Sequence, residues 1–276
     1  MEPPSNFTIL LGTVVTLAVA LISLKREALT KGGTVAAILL GILVFSFGGW
    51  QWFALLIVFF VSSSLLTKYK VKKKEPITKE FAKGGMRDFW QVLANCLVAV
   101  FFSVLFYFYP QSIFFMGFLG VIATVNADTW ATELGILSKR QPYLITAFKK
   151  VDVGTSGAVS PRGLLSAFAG AALIGLSAVF LQGFMNTQLH SPALVFAITA
   201  LSGFVGSLSD SLFGATIQGM YYCKKCRKET ERTVHKCGEK TDYRRGFIWM
   251  DNDVINLLSS IVGSGIAVGL YLLLGA

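Results

Sequence analysis

Long apolar blocks broken by short polar stretches occupy almost the whole chain. A membrane-spanning helix needs about 20 mostly apolar residues. Blocks of that kind run over Phe7–Leu24, Trp52–Leu66, Val92–Tyr109, Leu164–Gln182, Ala193–Gly214 and Val254–Leu274. Thr34–Phe47 and Ser112–Ala127 are shorter or mixed. Gly48-Gly49 and Pro110-Gln111 divide neighbouring blocks, as helix-breaking residues do at tight turns. The pattern predicts an all-α fold: a polytopic membrane helix bundle of about eight transmembrane helices, forming a single integral membrane domain over 1–276. Met1-Glu2-Pro3-Pro4 lacks the basic stretch of a signal peptide, and no small-residue cleavage site follows, so the first block is expected to stay as a helix.

Composition agrees. Charged residues make up 14% and hydrophobic ones 54%, where a soluble domain carries about a quarter charged residues. The formal net charge of +10 invites a nucleic-acid reading, but its distribution favours membrane topology. With the N-terminus outside, eight spans leave four inner loops near 25–33, 67–88, 128–163 and 220–250, holding three, eight, five and nine Lys or Arg. These are all 25 cations of the chain. The outer turns hold none, as the positive-inside rule requires. Both termini are therefore expected outside, and the protein is expected to be a multi-pass cell-membrane protein whose functional loops face the cytoplasm. The run Lys68–Lys83 serves as a topology anchor and suits anionic lipid.

Ionisable residues within spans are costly and usually face a polar interior. Four groups stand out. Arg87, Gln91 and Asn95, spaced by four, would form one row on a helix. Asn126, Thr129 and Glu133 share a helical face, whereas Asp128 lies about 140° from Glu133 on a regular helix. Gly206, Asp210 and Gly214 also step by four, placing a carboxylate in a gap where another helix can approach. Asp251, Asn252, Asp253 and Asn256 open the last block, with more polarity than a helix cap requires. All of these acidic groups fall at cytoplasmic ends, where carboxylates meeting phosphates suit Mg²⁺. The stretch Lys149–Gly163 adds glycines, hydroxyls and flanking cations, a composition that suits anions.

Cys223-x2-Cys226 with His235-x-Cys237 is a separate device, predicted as a small cytosolic Cys/His subdomain over 220–248. Thiolates and imidazole at this spacing suit structural Zn²⁺. Cys96 reads as packing, and His190 falls on an outer turn.

The strings Gly-Gly-Met-Arg…Gln-Val-Leu-Ala-Asn (84–95), Ala-Asp-Thr-Trp-Ala-Thr-Glu-Leu-Gly (127–135), Pro-x-Leu-Ile-Thr (142–146), Val-Gly-Thr-Ser-Gly-Ala-Val-Ser (153–160), Asp-Ser-Leu-Phe-Gly-Ala-Thr-Ile-Gln (210–218) and Asp-Asn-Asp-Val-Ile-Asn (251–256) resemble the phytyl-phosphate kinase family. That family also includes the "transmembrane protein nineteen" proteins of animals. The resemblance implies phosphoryl transfer from a nucleoside triphosphate, CTP among the candidates, to an isoprenyl monophosphate such as phytyl or geranylgeranyl phosphate. On this reading Asp128, Asp210, Asp251 and Asp253 hold Mg²⁺, and Glu133 is a further ligand or base. Lys149, Lys150, Thr155, Ser156 and Arg162 hold nucleotide phosphates, and Arg87 takes the acceptor phosphate. Gln91, Asn95, Asn126, Asn252 and Asn256 complete the substrate contacts. A CTP-dependent lipid cytidylyltransferase would use the same residue types. A transporter or flippase of a phosphorylated lipid is the rival of another class, although transporter sites tend to lie near the midplane.

Overall fold

The computed structural model describes residues 6–78, 83–184 and 191–274, without the side chains of Asn6 and Thr8. Lys79 and His190 lie outside the described residues. The apolar blocks form α1 (Asn6–Lys25), α2 (Lys31–Gly48), α3 (Trp50–Lys68), α5 (Phe89–Phe108), α6 (Ser112–Gly135), α7 (Pro161–Gln182), α8 (Pro192–Thr216) and α9 (Asn252–Leu273). Seven of these, α2, α3 and α5 to α9, are long and apolar enough to cross a membrane, and α1 carries the shorter apolar helix Ile9–Lys25. The bundle is the one the apolar pattern predicts, with additions in its polar loops. The charged segment after α3 holds a short helix, α4 (Val71–Thr78). A two-stranded hairpin joins β1 (Tyr143–Leu144) to β2 (Ala158–Val159). The 220–248 insert is a three-stranded sheet of order β4-β3-β5, from β3 (Met220–Cys223), β4 (Lys228–Thr230) and β5 (Asp242–Arg245).

Local chemistry fixes the helix starts. Thr30, Ser160 and Ser191 cap α2, α7 and α8 by accepting backbone N–H bonds, and Pro follows at the first turn of α7 and α8. Asp88 and Gln91 form a reciprocal capping box at α5. Asp251 caps α9 by accepting from the N–H groups of Asp253 and Val254. A single glycine, Gly49 at φ 88°, ends α2 and begins α3.

The axis of the bundle is α6. Every residue from Phe115 to Ala127 is buried, and α6 packs on α3, α5, α7, α8 and α9. Small residues permit this. A Cβ at Gly206 would stand 2.2 Å from Thr124 Oγ1, and one at Gly263 would stand 1.9 Å from the same atom. The close approach expected at Gly206 is thus made by α6. Trp52 anchors the other side against Phe106, Phe115 and Phe118, with centroids 4.6–5.1 Å apart.

Candidate functional site

One cleft of about 910 Å³ gathers the polar ends of the bundle. Its wall includes the caps Thr30, Asp88, Ser160 and Asp251, so α2, α5, α7 and α9 all begin on it. Helix N-termini carry partial positive charge and unpaired N–H groups, which favour anions. The C-terminal parts of α3, α6 and α8 reach the same cleft with Thr67, Glu133 and Asp210. The backbone turn Val153–Gly157 adds Thr155 and Ser156, with Gly154 and Gly157 at φ 93° and 80°. Gly157 is obligatory there, because a Cβ would also lie 2.4 Å from that of Ala215.

The carboxylates divide into distinct roles. Asp128 has no hydrogen-bond or ion-pair partner among the described residues. Asp210 accepts one bond from Ser259 Oγ at 3.0 Å and lies close enough to Asp128 for their charges to interact. Glu133, by contrast, is engaged at both oxygens: Thr67 Oγ1 donates to Oε1 at 2.7 Å, and Lys74 pairs with Oε2. Lys74 also donates to Leu66 O and Thr67 O, closing the end of α3. Helix α6 is unbroken through this stretch, so Asp128 and Glu133 face different partners. Asp253 pairs with Lys83, which also reaches Asp88 at 2.9 Å. Burial pulls Lys83 down, but its bonds to Asp253 and Asp88 outweigh that and hold the ammonium above its ordinary range. The four aspartates therefore do not form the one ligand cluster that the sequence led us to expect. Asp128 and Asp210 form a pair, Asp251 caps a helix and Asp253 is ion-paired.

Arg87 corrects a second expectation. It precedes α5 rather than sharing a helical row with Gln91 and Asn95, and its backbone bridges to Leu29. Gln91 is spent in the capping box. Arg87 nonetheless lines the cleft with Gln91 and Asn95. It donates to Ser64 Oγ at 3.0 Å and lies over the rings of Phe59 and Phe60, with no carboxylate partner among the described residues. Burial lowers its pKa, and nearby Glu133 opposes the shift. Asn252 and Asn256 reach the cleft as expected.

Asn126, Lys149, Lys150 and Arg162 do not line it. Asn126 is buried, donating to Gly170 O and accepting from Ser62 and Ser63. Lys149 and Lys150 are exposed beside the hairpin turn, and exposed Arg162 donates to Leu137 O. The cations on the cleft come instead from one stretch of chain: Lys68, Lys74, Lys83 and Arg87. Charge in the 67–88 loop signalled this segment, but its topological use concealed the local one.

In the insert, the ligand atoms of Cys223, Cys226, His235 and Cys237 lie within 4.8 Å of one another, a cluster able to hold a metal ion. Cys223 and Cys237 sulfurs are 3.7 Å apart, and His235 Nδ1 stands 3.1 Å from Cys237 Sγ. A bond from His235, aided by the Glu239 backbone, lowers the Cys237 thiol to about 6. The insert also touches the cleft. Gln218 Nε2 donates to Glu231 Oε1 at 3.0 Å, Gln218 accepts from Ser156, and both Gln218 and Glu231 line the wall.

The sequence profile of the family described as "Integral membrane protein DUF92" matches residues 14–264. Protein PGR of Arabidopsis thaliana is 34% identical over 282 residues, 96% of each chain. An uncharacterized membrane protein of Methanocaldococcus jannaschii is 30% identical over 252 residues, 91% of this chain and 90% of its own. Protein VTE6, chloroplastic, also from Arabidopsis thaliana, is 27% identical over 249 residues, 87% of this chain but 64% of that protein. No solved structure matches the chain.

Proposed function

Since the chain belongs to the DUF92 family of integral membrane proteins, we propose that it is a membrane-embedded kinase that converts an isoprenyl monophosphate to the diphosphate with a nucleoside triphosphate. The observation carrying this reading is the presence, within one cleft, of two carboxylates free of any ion pair among the described residues, together with a set of cations and helix N-termini. Phosphoryl transfer needs mainly positioning and charge neutralisation, and this wall offers both.

An oxygen-only donor pair beside room for phosphates fits Mg²⁺, which commonly binds through one or two carboxylates plus substrate oxygens. Asp128 and Asp210 would hold it. Bound there, Mg²⁺ supplies neutralisation of charge on the phosphoryl group. The turn Val153–Gly157 and the starts of α7 and α9 receive nucleotide phosphates. Arg87 and Lys83 receive the acceptor phosphate. An acceptor oxygen forms the new P–O bond to the γ-phosphorus, the bond to the β-bridging oxygen breaks, and nucleoside diphosphate leaves. A phosphate monoester has a second pKa of about 6 and is largely dianionic at neutral pH, so the attacking oxygen needs no general base. That agrees with a Glu133 already committed to Lys74 and Thr67. In the insert, four nitrogen and sulfur donors fit a structural zinc ion.

The test combines purified protein, Mg²⁺, γ-labelled CTP, ATP, GTP or UTP, and phytyl, geranylgeranyl or longer prenyl monophosphates. Labelled prenyl diphosphate and free nucleoside diphosphate are expected. Asp128→Asn and Asp210→Asn each lower turnover by about a hundredfold or more, the scale of lost electrostatic stabilisation, while still inserting normally. Pyrophosphate release instead would identify a nucleotidyl transfer. Flux of lipid without nucleotide consumption would identify a transporter.

A further inference from the structure

A second, apolar cavity of about 60 Å³ lies between α1, α2, α3 and α5, among Val19, Ala37, Leu40, Phe53, Leu56 and Phe60. Its polar lining is sparse, and Arg87 and Asn95 belong to both this slot and the polar cleft. Those two side chains stand between the two spaces. Along α3 the slot extends from Phe53 to Phe60, about 10 Å at 1.5 Å per residue, and Ser64, the hydrogen-bond partner of Arg87, lies one turn further on.

The side chains shared by the two spaces suit an anion attached to an apolar chain. Arg87 is flanked by two phenyl rings and has no carboxylate partner among the described residues. Asn95 is 9% exposed, and its amide has no hydrogen-bond partner among the described residues. Its amide is thus free to donate to a phosphate oxygen from the cleft side. Water gains little inside an apolar cavity of this size, whereas an alkenyl chain replaces no hydrogen bonds there.

We propose that this slot seats the phosphate-proximal part of the prenyl chain, with Arg87 and Asn95 gripping the phosphate on the cleft side. The inference rests on the prenyl-phosphate reading above. It assigns the lipid entry to α1, α2, α3 and α5 and leaves α7, α8 and α9 to the nucleotide side. The slot is too small for a whole twenty-carbon tail, so the remainder runs out between helices into the bilayer.

Photolabelling tests this without turnover. Wild-type protein in nanodiscs is irradiated with a prenyl monophosphate carrying a diazirine on the isoprene unit nearest the phosphate, with no nucleotide added. Labels are expected on the slot-facing parts of α2, α3 and α5, and unlabelled prenyl monophosphate competes them away. Labels confined to α7–α9, or spread evenly over lipid-facing positions, overturn the proposal. In parallel, Ala37→Phe fills the slot, while Leu39→Phe adds the same ring on the exposed face of the same helix. Ala37→Phe is expected to cut labelling and raise the KM for prenyl monophosphate roughly tenfold or more, the scale of misplaced methylenes, with the nucleotide KM unchanged. Leu39→Phe does neither. Equal effects from both variants, or none from Ala37→Phe, sink the slot. If no nucleotide supports transfer, the kinase reading fails, yet the labelling map still decides where the lipid binds.

Discussion

Burial of a charged side chain says little until its partners are known. Lys74 and Glu133 form an ion pair with side-chain exposures of 3% and 16%, and breaking one partner of such a pair costs about 3–5 kcal/mol because the other is left buried and uncompensated. Glu133→Gln and Lys74→Met should each lower the melting temperature in detergent, whereas the double variant should lie well above the additive expectation, with a coupling of about 0.5–3 kcal/mol. Turnover separates structure from chemistry. Because the acceptor phosphate is already ionised, the double variant should keep most of its kcat. A folded double variant as inactive as Asp128→Asn would return Glu133 to a direct catalytic role. Sequence could nominate Glu133 but not settle its use. Lys74 is 59 residues away in a lysine run where its neighbours are solvated. The place of Asp128 and Asp210 on a polar wall was legible, because a carboxylate in an apolar helix is costly unless it faces a polar interior.

At the level of elements, the spans could be read because their apolar runs match the required length. The caps Thr30, Asp88, Ser160 and Asp251 were harder to interpret, since capping and ligand binding use the same residue types. The structure puts these caps at four helix starts around one cleft, where capping and an anion-attracting wall coincide. Helix α4 was hidden because Lys72-Lys73-Lys74-Glu75-Pro76 reads as a charge run with a helix breaker. The cations at 149, 150 and 162 misled because composition does not report direction: the hairpin turns its glycine–hydroxyl side to the cleft and leaves the lysines outside. The insert extends this logic. Arg245 donates to Gly214 O and Ala215 O at 3.0 and 2.8 Å, and Gln218 links Glu231 to Ser156. Purified protein should carry one zinc per chain by elemental analysis, and Cys237→Ser should lose it. Hydrogen exchange should then quicken over both 220–245 and 153–157, and kcat/KM should fall by up to about a hundredfold, the cost of an ångström-scale misplacement. Faster exchange in the insert alone, with intact turnover, would make the cluster a local staple with no bearing on the cleft.

For the molecule as a whole, one assignment joins charge, helix polarity and the cleft. The apolar helices alternate in direction, so α2, α5, α7 and α9 run away from the face on which their caps sit, and among the described residues the loops rich in Lys and Arg lie at that face. The orientation we propose from the positive-inside rule puts those loops in the cytoplasm, where nucleoside triphosphates are available and a prenyl phosphate headgroup would reach them from the inner leaflet. Side-specific labelling tests the assignment directly. In intact cells a membrane-impermeant maleimide should modify Gln111→Cys in the cation-free turn between α5 and α6, whereas Lys149→Cys should react only after permeabilisation. The opposite pattern would put the cleft outside, away from any cytosolic nucleotide, and the kinase reading would fall even with its carboxylates, cations and slot intact.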